Sequence, residues 1–78
     1  MKVNHPGMAA FGKKVRYYRR LNKLSQEKLA EIVGVDYTYI SSIERGHRNV
    51  SGINIMRIAK ALNVQPGDLF PDVRNVSV

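Results

Sequence analysis

Residues 25–46, SQEKLAEIVGVDYTYISSIERG, have the pattern of two short helices joined by a turn. Ser25 is a good N-cap for the first helix, since its hydroxyl can accept a hydrogen bond from an exposed backbone N–H. One apolar stripe follows, formed by Leu29, Ala30 and Val33. Gly34 comes next, where the chain can turn through positive φ without steric cost. The stretch therefore predicts a helix that ends at a glycine turn.

The second helix of this motif has an outward face that suits DNA. Asp36 is its N-cap candidate, Ile40 and Ile43 mark its buried face, and Gly46 ends it after about ten residues. Its outward positions carry hydrogen-bonding side chains of modest length, with no acid among them. They are Tyr37, Thr38, Ser41, Ser42 and Arg45. Side chains of this kind match the base edges of a major groove.

Positive charge is concentrated at the start of the chain. The 78 residues carry a formal net charge of +7 at pH 7. Residues 1–23 contain seven basic residues and no acid, whereas residues 24–50 contain three basic and four acidic residues. A basic patch of this kind attracts a polyanion through counterion release, and a solvated helix face is the alternative interpretation. Beside a helix-turn-helix, the pattern favours contact with phosphates.

The composition argues against several functions. The chain has no cysteine and two histidines, and it shows neither a glycine-rich phosphate loop nor paired carboxylates in a plausible cleft. We therefore expect no enzyme activity, no metal site and no cofactor. No apolar run approaches the roughly 20 residues that cross a bilayer, and the amino-terminal segment has too short an apolar core for a secretory signal. These features favour a soluble, cytoplasmic protein without a membrane partner.

The whole chain predicts one small all-α domain. The expected division is a flexible arm at residues 1–7, a DNA-binding domain at residues 8–71 with its helix-turn-helix at 25–46, and a loose tail at residues 72–78. Apolar residues at a three-and-four spacing define a first helix from Met8 to about Asn22. Ser51 is the N-cap of a fourth helix, Asn63 can close it in the left-handed conformation, and Pro66 begins a final turn.

Some apolar residues exceed what a small core requires. Ile53 and Met56 widen the apolar arc of the fourth helix, which favours burial against a second subunit. Leu69 and Phe70 lie near the end of the domain. They either fold back on the core or join a patch between subunits, so all four are candidates for a homodimer interface.

The run from Leu21 to Phe70 resembles the helix-turn-helix domains of the lambda repressor and Cro class, also called the xenobiotic response element (XRE) family. Residues 39–70, YISSIERGHRNVSGINIMRIAKALNVQPGDLF, are especially similar to the controller proteins of restriction-modification systems. Their pattern runs Tyr-(Ile/Val)-x-x-(Ile/Val)-Glu-Arg-Gly-x-Arg-Asn-(Ile/Val)-Ser. The matching positions here are Tyr39, Ile40, Ile43, Glu44, Arg45, Gly46, Arg48, Asn49, Val50 and Ser51.

The resemblance implies a compact five-helix fold and a transcriptional regulator. Such proteins bind paired half-sites of a near-palindromic operator as symmetric homodimers. The resemblance further implies activation or repression according to the position relative to RNA polymerase, and regulation of the protein's own gene. Controller proteins often carry Arg directly after the capping Asp, whereas this chain has Tyr37. The bidentate contact of Arg with guanine is therefore absent at that position, and we expect a different operator.

Candidate DNA contacts divide into two groups. The base-contact candidates are Tyr37, Thr38, Ser41, Ser42 and Arg48. Arg48 matches guanine O6 and N7 best, and a phosphate contact is its alternative. The phosphate-contact candidates are Gln26, Tyr39, Lys13, Arg16, Lys28, His47 and Asn49, with Gln26 placed at a helix N-terminus, where anions bind. The resemblance also implies a structural ion pair between Arg19 and Glu44.

Two other functions fit parts of the chain. A DNA-binding antitoxin would use the same domain, but such proteins usually carry an extra toxin-binding segment, and only residues 72–78 are available for one. A basic amphipathic helix on a membrane surface would fit the charge of the first helix. The apolar stripe of that helix is needed for the core, so we favour DNA binding over both.

Overall fold

The computed structural model describes residues 5–75, so the first four residues of the predicted arm and the last three of the predicted tail lie outside the described residues. Four α-helices follow one another along the chain. They are α1 (Pro6–Leu21), α2 (Gln26–Val33), α3 (Tyr37–Glu44) and α4 (Gly52–Leu62). Two short 3-10 helices come after them, η1 (Pro66–Leu69) and η2 (Val73–Asn75). No strand occurs between residues 5 and 75, and the predicted all-α, five-helix fold is confirmed, with η1 as the fifth helix.

Polar cap residues decide where the helices begin. The hydroxyl of Ser25 accepts a hydrogen bond from the Lys28 N–H at 3.0 Å, and that of Ser51 accepts one from the Asn54 N–H at 3.3 Å. Asp36 caps α3 through a 2.8 Å bond from the Thr38 N–H. These three caps were predicted from the sequence, and each satisfies a backbone donor that the first helical turn leaves exposed.

Two predicted boundaries were wrong. α1 begins at Pro6 rather than Met8, because proline suits the first helical position and His5 Nδ1 accepts a hydrogen bond from the Gly7 N–H at 2.9 Å. Residues 5–7 therefore belong to the start of α1 and its cap, whereas the prediction placed them in the arm. The predicted loose tail likewise contains η2, where the carboxylate of Asp72 accepts hydrogen bonds from the backbone N–H and the guanidinium of Arg74.

The core forms where the apolar stripes of the four helices meet η1. Its buried residues are Phe11, Val15, Leu29, Ala30, Val33, Ile40, Ile43, Ile58, Ala59, Leu62 and Leu69. Leu69 is completely buried, so of its two predicted alternatives it folds back on the core. It is thereby excluded from a dimer interface, since a side chain with no exposed surface in one subunit cannot meet a second. Tyr18 packs on this core, and the adjacent Tyr17 remains exposed.

Two glycines let α3 approach α1 closely. A Cβ on Gly12 of α1 would lie 2.1 Å from the carbonyl oxygen of Ile43, and a Cβ on Gly46 would lie 2.8 Å from Cα of Ala9. Gly46 also has φ +74°, a conformation that favours glycine. It lies one residue beyond the cap of α3, which is why α3 has eight residues rather than about ten. The second helix of the motif therefore rests almost directly on the backbone of α1.

Candidate nucleic-acid interface

A buried ion pair fixes α3 against α1. Arg19 Nε donates to Glu44 Oε2 at 2.6 Å, and a second guanidinium nitrogen donates to Glu44 Oε1 at 3.0 Å. The third nitrogen of Arg19 donates to the Leu24 carbonyl at 2.7 Å. The two side chains are 10% and 3% exposed, so this bidentate pair is structural, as the resemblance implied. Hydrogen bonding to Glu44 raises the pKa of Arg19 above its usual value.

Gln26 completes the surroundings of this carboxylate. Its Nε2 donates to Glu44 Oε1 at 3.1 Å, so the two oxygens of Glu44 accept three hydrogen bonds from Arg19 and Gln26. Gln26 is the first residue of α2, where backbone N–H groups point out of the helix. This arrangement neutralises the acid next to the surface on which phosphates are expected. The second hydrogen on Gln26 Nε2 and the backbone N–H groups at the start of α2 are the donors through which Gln26 would bind a phosphate.

The outward face of α3 has the composition that the sequence predicted. Tyr37 and Thr38 are exposed at its start, and Ser41 and Ser42 are partly buried one turn further along. The Thr38 hydroxyl donates to Asp36 Oδ1 at 2.7 Å, which leaves its oxygen as an acceptor. The hydroxyl and then the N–H of Thr38 hold the pKa of Asp36 below its usual value. The start of α3 is therefore well ordered.

A cluster around Tyr39 joins α3, α4 and the loop that follows α3. Tyr39 of α3 is partly buried, and its hydroxyl oxygen accepts a hydrogen bond from Asn54 Nδ2 of α4 at 3.1 Å. The guanidinium carbon of Arg48 lies 5.0 Å from the centre of the Tyr39 ring, within the range of a cation–π contact. Arg48, a base-contact candidate, thus packs on Tyr39, a phosphate-contact candidate. Sequence reasoning did not single out Asn54.

A basic row runs along α1. Lys13, Arg16 and Arg20 are exposed and follow one another at i, i+3 and i+7, so they share one side of the helix. Arg16 lies one turn after Gly12, which contacts α3, so this row of basic residues borders α3. The sequence had proposed Lys13 and Arg16 for phosphates. Arg20 belongs to the same row and was not included among the site candidates.

The other phosphate candidates differ in their surroundings. Lys28 Nζ lies 2.8 Å from Glu31 Oε1 in an exposed pair, and this pairing lowers the pKa of Glu31. Lys28 must therefore leave or share that carboxylate to meet a phosphate. His47 and Asn49 are exposed in the loop after α3, on the chain segment that also carries Arg48.

Two of the remaining dimer candidates lie on an exposed face of α4, and the third, Phe70, directly follows η1. Ile53 and Met56 are 62% and 54% exposed and, three residues apart, share one helix face. Phe70 is 43% exposed, and its ring centre lies 5.1 Å from that of Phe11. These three apolar side chains therefore remain largely exposed in the single subunit, whereas Leu69 is buried.

The described helices define a helix-turn-helix protein. A family model described as helix-turn-helix matches residues 15–69, and the chain belongs to this family. Its fold is the lambda-repressor-like one, and the predicted similarity to restriction-modification controller proteins is confirmed by the following comparisons.

The similar proteins include controllers and a DNA-bound regulator. The chain is 58% identical to control protein C.BamHI of Bacillus amyloliquefaciens over 61 residues, which cover 77% of this chain and 75% of that protein. The crystal structure of the restriction-modification controller protein C.AhdI from Aeromonas hydrophila matches with a TM-score of 0.78 and 44% identity, over 81% of this chain and 96% of that one. SinR, a master regulator for biofilm formation solved in complex with DNA, matches with a TM-score of 0.73 and 33% identity, over 76% of this chain and 95% of that one. Within residues 5–75, none of the helices is long and apolar enough to span a membrane.

Proposed function

We propose that this protein is a transcriptional regulator that binds a specific, near-palindromic site in double-stranded DNA as a homodimer. The observation that carries the proposal is the surface formed by α3 and α1. Short, uncharged hydrogen-bonding side chains cover the exposed start of α3, and the basic row Lys13, Arg16 and Arg20 borders it on α1. Such a surface combines groups that read base edges with cations that bind phosphates.

The geometry supports one mode of docking. α3 enters the major groove, with Tyr37, Thr38 and Ser41 towards the base edges. The N-terminus of α2 and the basic row of α1 then meet the phosphates on the sides of the groove. The Arg19–Glu44 pair and the close approach at Gly12 keep these two kinds of contact in a constant relative position. Phosphates thereby orient the helix that reads the bases.

The exposed apolar side chains on α4 and after η1 support the proposed homodimer. We assign Ile53, Met56 and Phe70 to the contact between subunits. With the twofold axis there, symmetric binding requires the two α3 helices to enter successive major grooves, about 34 Å or 10 base pairs apart. The operator is then a near-palindrome, and a mutation at the interface weakens binding without touching DNA.

The regulatory role rests on the similarity to controller proteins. We infer that the protein acts in the cytoplasm, near or on its own promoter, and that its position relative to RNA polymerase decides between activation and repression. The function is binding, without a catalytic step or cofactor. No contact within residues 5–75 favours the antitoxin alternative.

Selection of bound duplexes from a random pool tests the proposal. We expect enrichment of one near-palindromic sequence with half-sites about 10 base pairs apart centre to centre. Sedimentation across concentrations should show a dimer at the concentration that fills the site. Failure to enrich any sequence would overturn specific binding, and a monomer on a single half-site would overturn the symmetric arrangement.

Arg48 provides a sharper test of base reading. Arg48→Ala should cost about 1–3 kcal/mol in binding and relax the preference at one base pair. Arg74→Ala is the matched control, because Arg74 is an exposed arginine paired with Asp72 in η2. Equal losses for Arg48→Ala on specific and random duplexes would make Arg48 a phosphate contact instead.

A further inference from the structure

We propose that Asn54 is a positioning residue for DNA binding, which directs the hydroxyl proton of Tyr39 towards a phosphate and holds the ring on which Arg48 packs. The inference rests on the proposed function. It adds a residue that lies on α4, outside the helix-turn-helix motif, and that need not touch DNA itself.

The first step concerns the proton of Tyr39. Asn54 Nδ2 can only donate, so the phenol oxygen is the acceptor of their 3.1 Å hydrogen bond. The phenol O–H is therefore not used in this bond and remains available as a donor. Because the phenolic hydrogen prefers the plane of the ring, it has two orientations, and the Asn54 amide hydrogen occupies one side. The O–H is left to point away from α4, where a phosphate oxygen would accept it.

The second step concerns the ring. Tyr39 is partly buried, and its hydroxyl is tied to α4 by Asn54, so the ring has a defined orientation. The Arg48 guanidinium lies 5.0 Å from the ring centre. A planar guanidinium that stacks on a fixed aromatic face loses much of its rotational freedom before it binds. Asn54 thus acts on Arg48 through Tyr39.

The third step concerns Asn54 itself. Its backbone N–H donates to the Ser51 hydroxyl at 3.3 Å, so it occupies the first, capped turn of α4. Its neighbour Ile53 lies on the exposed apolar face of the same helix. Asn54 consequently connects the helix assigned to dimerisation with two side chains assigned to DNA.

A double-mutant cycle tests this role. The variants are Asn54→Ala, Tyr39→Phe and the double variant, and binding to the selected operator is followed by fluorescence anisotropy. Each single change should weaken binding roughly three- to tenfold. The double variant should bind no more than about twofold worse than Tyr39→Phe, since without the hydroxyl Asn54 has nothing to position. Independent effects that multiply would overturn the proposal.

An aspartate at position 54 gives a readout that a purely structural residue would not move. The carboxylate of Asn54→Asp only accepts, so it should draw the Tyr39 proton towards α4 and away from DNA. Its charge also repels phosphate, and the same change in the Tyr39→Phe background measures that repulsion alone. We expect a larger loss with tyrosine than with phenylalanine, and equal losses would refute the orientation of the proton.

Two controls separate the possible failures. Asn75→Ala removes an exposed asparagine from η2 and should leave binding unchanged. Urea unfolding of each variant should show similar stability, and binding losses that follow stability would contradict a positioning role. If the unchanged protein selects no duplex, the proposed function fails. If it binds and the cycle is additive, only the role of Asn54 fails.

Discussion

Replacing Gly12 with alanine should destabilise the domain, although the same change in most helices is stabilising. Gly12 lies within α1, where alanine is favoured over glycine by about 1 kcal/mol. The Cβ of the alanine would, however, lie 2.1 Å from the Ile43 carbonyl oxygen and 3.1 Å from two backbone atoms of Glu44. The helix preference and the packing therefore act in opposite directions.

The geometry indicates that packing dominates. The distance of 2.1 Å is about 1.3 Å short of the 3.4 Å at which ordinary contact begins. Because the obstructing atoms belong to the backbone of α3, no side-chain rotation can relieve the overlap, and α1 and α3 must separate. Overpacking of this kind costs typically 1–3 kcal/mol and sometimes more. An overlap this deep belongs at the upper end of that range, about 3 kcal/mol. After the gain of about 1 kcal/mol in helix preference, we expect a net loss of about 2 kcal/mol, which lowers the Tm of a domain of this size by roughly 8–16 °C.

Urea unfolding followed by circular dichroism measures this loss. The midpoint should fall while the slope stays constant, which indicates a change in stability alone. Gly52→Ala is the matched control, because Gly52 also lies in a helix and a Cβ there would meet nothing within 4 Å. It should be neutral or stabilising by up to about 1 kcal/mol.

A Gly12→Ala variant as stable as Gly52→Ala would refute the reasoning. The two helices would then have room that the described geometry does not allow, and the close approach of α1 to α3 could not be what sets the angle of the recognition helix.

Three further perturbations examine the surface around α3. Arg19→Met leaves the buried Glu44 carboxylate with Gln26 as its one remaining side-chain donor. It should lower the free energy of unfolding, measured in urea, by about 3–5 kcal/mol. A loss below about 1 kcal/mol would be no larger than that of an exposed salt bridge and would contradict a buried structural pair. Hydrogen bonds from Thr38 hold the pKa of Asp36 below that of an ordinary aspartate. The ionised cap therefore stabilises the fold fully at any pH above the ordinary pKa, and this stabilisation is lost as the pH falls through the lowered pKa. The amide proton shift of Thr38 should titrate with that lowered midpoint, and a midpoint at or above the ordinary value would contradict the cap. Arg16→Ala should weaken binding to all duplexes and reduce the salt slope by about one, whereas an unchanged slope would leave Arg16 as solvated surface.

Local features were predictable because they depend on neighbouring residues. The caps Ser25, Asp36 and Ser51 and the left-handed turns at Gly34 and Asn63 all agree with the sequence prediction. A cap needs only a short polar side chain and the first helical turn, both of which are adjacent in the chain. The start of α1 was predicted two residues late for a similar local reason, since a proline such as Pro6 can either break a helix or begin one.

Features that depend on contacts between helices were less accessible. Leu69 and Phe70 are adjacent apolar residues, and their order alone does not say which one enters the core. The hydrogen bond between Tyr39 and Asn54 joins two helices across 15 positions of the sequence. The spacing of apolar residues within a helix cannot predict such a contact. Gly12 offered one usable signal, because a glycine inside an apolar helix pattern often marks a close approach of another backbone.

The contact between Gly46 and Ala9 also bears on how such a domain could acquire a new target. It anchors the end of α3, while Tyr37 at the other end of the helix is exposed to solvent. We therefore expect substitution of Tyr37, a proposed base contact, to alter the DNA sequence that is recognised without altering the framework. Substitutions at the anchored positions would change the framework first. Different positions of α3 therefore determine DNA specificity and the stability of the fold.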